Sequence, residues 1–288
     1  MVRFIADSGI DIAEMEGVDF RRVPLTISTE DDMHWLDDES LDIHEMIETL
    51  INHKGRSFTA CPSIEAWMNA FGADVDEVPD EIYVLTLTSG LSGTYNSAVL
   101  AKNMLLENYP DTKVHVVDSR SVGPEMVLVM NKMVELKKAG CTFEEVVEKI
   151  ADYQKHVRIV FAFQSIHNLV QNGRVNKLAA AAAGVLGICF EGTATEEGTI
   201  RQTAKCRGEK KIIAQFKKDL KEYGYAGGKV RLHHTENEQL AIRVADAIKA
   251  DYPDAEIDYV ETAGLCSYYV ERGGIVCGFE TECEQSGY

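Results

Sequence analysis

The sequence predicts an α/β protein of two domains: an N-terminal doubly wound sheet with helices on both faces over residues 1–157, and a C-terminal α+β domain over residues 158–288. Three observations carry this. Strand-forming runs alternate with helix-period runs through the first half, the pattern of a parallel or mixed sheet covered on both faces. After residue 158 the order changes, and five further strands surround only two strong helices. Between them Val84–Leu87 runs into Thr88-Ser89-Gly90-Leu91-Ser92-Gly93-Thr94, a strand-to-helix turn of the kind found where ligands meet the carboxyl edge of such sheets.

The elements follow in order. Val2–Ala6 is a short apolar strand that enters the turn Asp7-Ser8-Gly9-Ile10-Asp11. A second strand is expected at 20–28 and helix patterns at 41–53 and 64–72. The latter puts Trp67 and Phe71 on one face, behind the segment Phe58-Thr59-Ala60-Cys61-Pro62-Ser63. Strand 82–88 precedes the glycine-rich turn, and Tyr95, Ala98, Val99 and Leu105 mark a helix over 93–108. Strand 113–118 leads to helices at 123–139 and 143–155, separated by Gly140-Cys141-Thr142. Thr142 with Glu145 three residues on forms a capping box. Arg158–Gln164 opens the second half, followed by strands at 187–192, 199–206, 229–234, 256–261 and 275–280 and helices at 209–222 and 237–251.

The turn before residue 94 is suited to an anion. A helix start leaves N–H groups unpaired and its dipole favours negative charge. Gly90 and Gly93 permit close backbone approach, and Ser89, Ser92 and Thr94 offer hydroxyls. An ordinary N-cap explains the same residues, so both readings stand at this point.

Composition narrows the classes of partner. Net charge is −18 with pI near 4.9, which disfavours nucleic acid and anionic membrane surfaces. Met1-Val2-Arg3-Phe4 passes directly into a strand with no signal-peptide core, and the longest apolar run, Leu178–Phe190, is too short to span a bilayer. No integral membrane segment is expected. Seven cysteines without a Cys-x-x-Cys pair read as reduced thiols of a cytoplasmic protein.

The segments Asp7-Ser8, Val23-Pro24-Leu25, Thr59 with Pro62-Ser63, Leu91-Ser92-Gly93-Thr94-Tyr95, Val117-Asp118-Ser119, Gly173-Arg174-Val175 and Lys205-Cys206-Arg207, in this order, resemble the DegV family of bacterial fatty-acid-binding proteins. The resemblance implies one long-chain fatty acid held between two domains, with no other cofactor and no catalysis by the chain itself. It implies that Thr59 and Ser92 hold the carboxylate, supported by Gly93, Thr94 and Tyr269. It further implies a separate fatty acid kinase as partner, with Arg174 and Arg207 serving docking or transfer. Phe161, Phe163, Ile166, Leu169, Leu186, Ile188 and Phe190 are candidates for the tunnel wall or plain core, and the alanine run 179–183 for close helix packing or acyl room. Arg201, Lys205, Arg207, Lys210, Lys211, Lys217 and Lys218 form a basic cluster in an acidic chain; Lys217 and Lys218 read as a solvated helix face. Two departures from the family pattern stand out. Ala60 and Cys61 replace Ser-Gln in the threonine motif, and Tyr269 falls where the family carries a histidine, so a phenol replaces a group that can become a cation.

Other chemistries fit less well. In a serine hydrolase elbow the second glycine would stand one place beyond Gly93, and nothing ties His115, His156, His167, His233 or His234 to Ser92. No Walker A loop is present. His233 and His234 are adjacent on a strand and point to opposite faces, so no metal site is expected there. Asp31-Asp32 and Asp37-Asp38 read as solvated loop charges. The alternatives to a kinase-coupled carrier are a hydrolase using Ser92 and a lipid sensor without a kinase.

Overall fold

The computed structural model describes residues 1–75, 77–175 and 188–282. The first half builds a four-stranded parallel sheet from β1 (Val2–Asp7), β2 (Asp19–Val23), β6 (Glu81–Thr86) and β7 (Lys113–Asp118), in the order β2-β1-β6-β7. Both faces are apolar because successive side chains alternate sides. Ile5, Ile82 and Val84 meet α2 (Ile64–Phe71) and α3 (Thr94–Asn108), while Phe4, Ala6, Tyr83 and Leu85 meet α4 (Pro124–Lys138) and α5 (Phe143–Tyr153). The Thr142–Glu145 capping box is present at the start of α5.

The expected strand at 20–28 is two strands in two sheets. Pro24 lacks an N–H for the ladder and ends the parallel pairing at Val23. The chain then enters β3 (Thr26–Thr29), the centre of a small antiparallel sheet with β4 (His34–Leu36) and β5 (Ser57–Ala60) on either side. α1 (Ile43–Asn52) joins β4 to β5.

The second half is a six-stranded mixed sheet in the order β10-β9-β8-β13-β11-β12. Its strands are β8 (Val157–Phe163), β9 (Ile188–Ala194), β10 (Ile200–Arg207), β11 (Lys229–His234), β12 (Glu256–Glu261) and β13 (Ile275–Glu280). Only β11 and β12 run parallel. Two helices, α7 (Glu209–Glu222) and α8 (Glu238–Asp251), cover one face through Ile212, Phe216, Leu220, Leu240, Val244 and Ile248. Two short helices lay outside the sequence reading: α6 (His167–Gln171) and α9 (Gly264–Val270).

The other face of this sheet meets α4. Pro124–Met130 are seven consecutive buried residues, so the start of α4 has no solvent face. Gly278 of β13 makes this approach possible, since a Cβ there would stand 2.7 Å from the Glu125 nitrogen. The two sheets thus share one helix as a common layer.

Candidate functional site

The carboxyl ends of β1, β6 and β7 point toward the face of the six-stranded sheet that α7 and α8 leave uncovered. Asp7 organises this edge: its carboxylate accepts the Gly9 N–H at 2.9 Å and the Leu87 N–H at 2.7 Å. Burial, only partly offset by those hydrogen bonds, pushes Asp7 up to about 7. Thr88 donates from its hydroxyl to the Gly198 carbonyl at 2.9 Å, which joins the loop after β6 to the turn between β9 and β10. Gly198 has φ +72°, and a Cβ there would fall 2.0 Å from the Thr88 hydroxyl.

Between these parts lies a narrow cavity with mostly apolar walls. Leu25, Leu87 and Val122 line it from the first half, and Ile159, Phe161, Phe163, Leu169, Val270 and Val276 from the second. Phe161 and Phe163 stack with ring centres 4.5 Å apart. Among the expected wall residues, Phe161, Phe163 and Leu169 line the cavity, whereas Ile166 and Phe190 pack behind them and Ile188 is half-buried on β9. Leu186 and the alanine run lie outside the described residues.

Several polar groups stand on the wall, Asp11, Thr88, Arg120, Ser121 and Thr199 among them, besides the residues singled out by sequence. Thr59 of β5 and Tyr269 of α9 both line the cavity, and their hydroxyls share a hydrogen bond of 2.8 Å. Burial raises the Tyr269 phenol above its ordinary value, against lowering by Thr59 and the Arg174 charge, so it remains protonated at neutral pH. Next to it, Tyr268 shares a 2.8 Å bond with the Ser57 hydroxyl and accepts from Asn172 at 2.9 Å. Gln171 accepts the Ser57 N–H at 2.9 Å, so β5 is tied to α6 as well as to α9. Ser92 and Arg174 also line the cavity. Arg174 donates to the Leu91 carbonyl at 3.2 Å and the Asn172 carbonyl at 2.6 Å, which fixes the guanidinium against the loop that carries Ser92.

The structure therefore brings Thr59, Ser92, Tyr269 and Arg174 to one cavity, although the family resemblance implies a docking or transfer role for the arginine. It does not bring Gly93, Thr94 or Arg207 to the cavity wall. The Ser92 hydroxyl accepts the Thr94 N–H at 3.3 Å, and the buried Thr94 side chain stands beside Asp7 with its hydroxyl short of a well-formed hydrogen bond. Gly93 is exposed and precedes α3 without a side-chain cap. Arg207 ends the edge strand β10 as an exposed residue, with Arg201 and Lys205 exposed at alternate positions before it. Ser63 is a plain N-cap of α2, accepting the Ala66 N–H at 3.1 Å.

One expectation is overturned. Asp37 is not a solvated loop charge: it is 1% exposed, and its two oxygens accept the N–H groups of Gly264 at 2.8 Å and Leu265 at 2.9 Å. Burial raises its carboxyl above the ordinary range, against those backbone bonds and the Ser8 hydroxyl. Asp11 likewise reaches across, taking the Ala263 N–H at 3.0 Å and pairing with His233 Nδ1 at 2.7 Å. No local spacing in the sequence marks either contact, because the partners stand more than 200 residues away. The six described cysteines without a disulfide include Cys266 on the cavity wall. Among the described residues no group of side chains is arranged to hold a metal, and no helix is long and apolar enough to cross a membrane.

Comparison with known proteins places this arrangement. The family model described as "Uncharacterised protein, DegV family" matches residues 1–281. A DegV domain-containing protein of Streptococcus pneumoniae is 40% identical over 284 residues, covering 97% of this chain and 99% of the relative. The crystal structure of a DegV family protein from Eubacterium eligens loaded with heptadecanoic acid has 47% identity and a TM-score of 0.94, covering 98% of this chain and 100% of that one. The Streptococcus pneumoniae Fatty Acid Kinase (Fak) B3 protein loaded with linoleic acid has 40% identity and a TM-score of 0.93, covering 98% and 99%.

Proposed function

This chain belongs to the DegV family, and from that premise we propose that it binds one long-chain fatty acid between its two domains and presents the carboxylate to a separate fatty acid kinase in the cytoplasm. The observation that carries the reading is the cavity itself: an apolar passage with hydroxyls of Thr59, Ser92 and Tyr269 and the charge of Arg174 on its wall. An alkyl chain gains from leaving water along such a passage, and a carboxylate needs a few well-placed donors where it stops. Charge-assisted hydrogen bonds to a carboxylate are the strong ones, and Arg174 beside a protonated phenol supplies that chemistry without a histidine. The neighbours loaded with heptadecanoic and linoleic acid support the ligand class, and the second, a protein of a fatty acid kinase, supports the partner.

In this reading the chain has no catalysis of its own. Ser92 serves as a carboxylate ligand. Arg207, exposed on β10 away from the cavity wall, belongs to the surface that meets the kinase, which would form the acyl phosphate on the presented carboxylate. Native mass spectrometry of protein purified from cells tests the ligand. A co-purified C14–C20 acid at one equivalent is the expected result. A protein that arrives empty and takes up no added fatty acid would overturn the reading.

A further inference from the structure

We propose that Asp37 is a positioning residue for the head group: it sets the placement of α9 from the other half of the molecule and thereby fixes where Tyr269 meets the carboxylate. The inference rests on the fatty-acid reading above.

The first N–H groups of a helix have no partner within it. The N-cap of α9 is Ala263, which has no side-chain oxygen to offer. Asp37 fills that role from the loop between β4 and α1, with one oxygen on Gly264 and the other on Leu265. A buried carboxylate on two N–H groups at a helix start is held by both hydrogen bonds and the helix dipole. The joint has no slack. A Cβ on Gly264 would stand 2.7 Å from the Asp37 Oδ1 and 2.4 Å from the Leu41 Cδ2.

The far end of the same short helix carries the working side chains. Tyr268 and Tyr269 reach Ser57 and Thr59 on β5. From Gly264 to Tyr269 the helix rises only about 7.5 Å, so a shift at its start is passed on as a rigid displacement. A binding group must be held within about 0.5 Å of its productive place, and the residues behind it do that. Asp37 does not line the cavity, whereas Tyr269 does. The Asp37 carboxylate reaches the lipid through α9 or through the Ser8 hydroxyl, which also accepts the N–H of the cavity-lining Leu25 at 3.0 Å, and the Tyr269→Phe background tells these two routes apart. Asp11, which takes the Ala263 N–H, lines the cavity and would confuse the two routes.

The test is a calorimetric titration of the full-length chain with oleate, using Asp37→Ala and Asp37→Asn in the parent and in a Tyr269→Phe background. Asp37→Ala is expected to weaken binding about tenfold, and Asp37→Asn by less, because its amide oxygen still accepts one N–H. In the Tyr269→Phe background the Asp37→Ala loss should shrink to about twofold or less, since the group that Asp37 positions is gone. Should Asp37→Ala not fold, Asp37→Asn and Gly264→Ala, which presses on the joint from the helix side, enter the same cycle. Unchanged affinity in these variants overturns the inference. So does a loss that persists undiminished beside Tyr269→Phe, which would make Asp37 a general stabiliser. A parent that binds no oleate sinks the fatty-acid reading and this inference together; a parent that binds beside insensitive variants sinks only this one.

Discussion

Thr59 and Tyr269, 210 residues apart in the chain, are joined hydroxyl to hydroxyl at 2.8 Å on the wall of the cavity. Like the neighbouring Ser57–Tyr268 pair, this pair ties β5 to α9, and unlike that one it lines the cavity. In the proposed reading its oxygens meet the carboxylate.

Removing any one of these hydroxyls should weaken binding without unfolding the protein. A hydrogen bond to a charged group contributes about 1.5–3 kcal/mol, so Thr59→Ala, Ser92→Ala and Tyr269→Phe should each cost about ten- to a hundredfold in fatty-acid affinity. Calorimetric titration checks this. A variant with unchanged affinity leaves the head-group set.

A carrier should not cleave esters. Incubation with p-nitrophenyl acyl esters is expected to give no turnover above the rate of a heat-treated control. Hydrolysis that vanishes in Ser92→Ala and persists in a distant surface variant would favour an enzyme.

Arg174 and Arg207 should separate in their effects. Arg174 touches the Leu91 carbonyl and lines the cavity, so Arg174→Ala should lower affinity and coupled phosphorylation together. Arg207→Ala should leave affinity within about a few-fold while phosphorylation by a cognate kinase falls further, and the difference between parent and variant should fade as salt rises and the cations are screened. Equal rates for parent and Arg207→Ala would remove Arg207 from the docking surface.

Stability should fall between about pH 4 and about pH 7. Burial raises Asp7, Glu125 and Glu191 to about 7 each. Such a group holds its proton more tightly folded than unfolded. Its stabilising effect is full below the unfolded value near 4, declines as pH rises, and is gone above about 7. Exposed carboxylates with lowered values, such as Glu145 and Asp38, act in the opposite sense and only under acid conditions. Glu191→Gln isolates one contribution. Glu191 accepts from the Cys206 thiol at 2.9 Å and leaves its second oxygen unpaired. The variant should melt several degrees above the parent at pH 8, with the gap closing as pH falls to about 4. No difference at pH 8 would count against a protonated Glu191.

Gly198→Ala should loosen the join between the halves. Its left-handed backbone and the Thr88 hydroxyl leave no place for a methyl group, a strain of about 1–3 kcal/mol. Lower thermal stability with weaker lipid binding is expected, and an unaffected protein would show that the turn can shift freely.

The parallel sheet was legible because Phe4, Ile5 and Ala6 are all apolar yet serve alternate faces, and because α2 and α5 place their apolar residues at helical spacing. The glycine-rich turn announced Ser92 and its neighbours for similar local reasons. The small antiparallel sheet did not show itself, since β4 has three residues and β5 four. α9 was hidden for a different reason. Gly264-Leu265-Cys266-Ser267-Tyr268 is buried throughout, so no polar face sets a helical period, and its cap comes from Asp37 in the other half. Where an element is finished by residues far along the chain, local pattern carries no trace of it. The same holds for Asp11 and His233, whose pairing closes a distance of 222 residues.

The burial of the first half of α4 on all sides bears on how this protein comes into being. A ribosome that has delivered the chain through residue 157 has made every strand of the parallel sheet, yet one flank of Pro124–Met130 still waits for β8, β11 and β13. The half-made molecule must therefore carry a sticky apolar stripe until synthesis is nearly complete. Expressed alone, that half should aggregate or recruit chaperones, and the intact chain should unfold in one cooperative step. Evolution can vary the outer helices piecemeal, but a change in α4 has to suit two sheets at once.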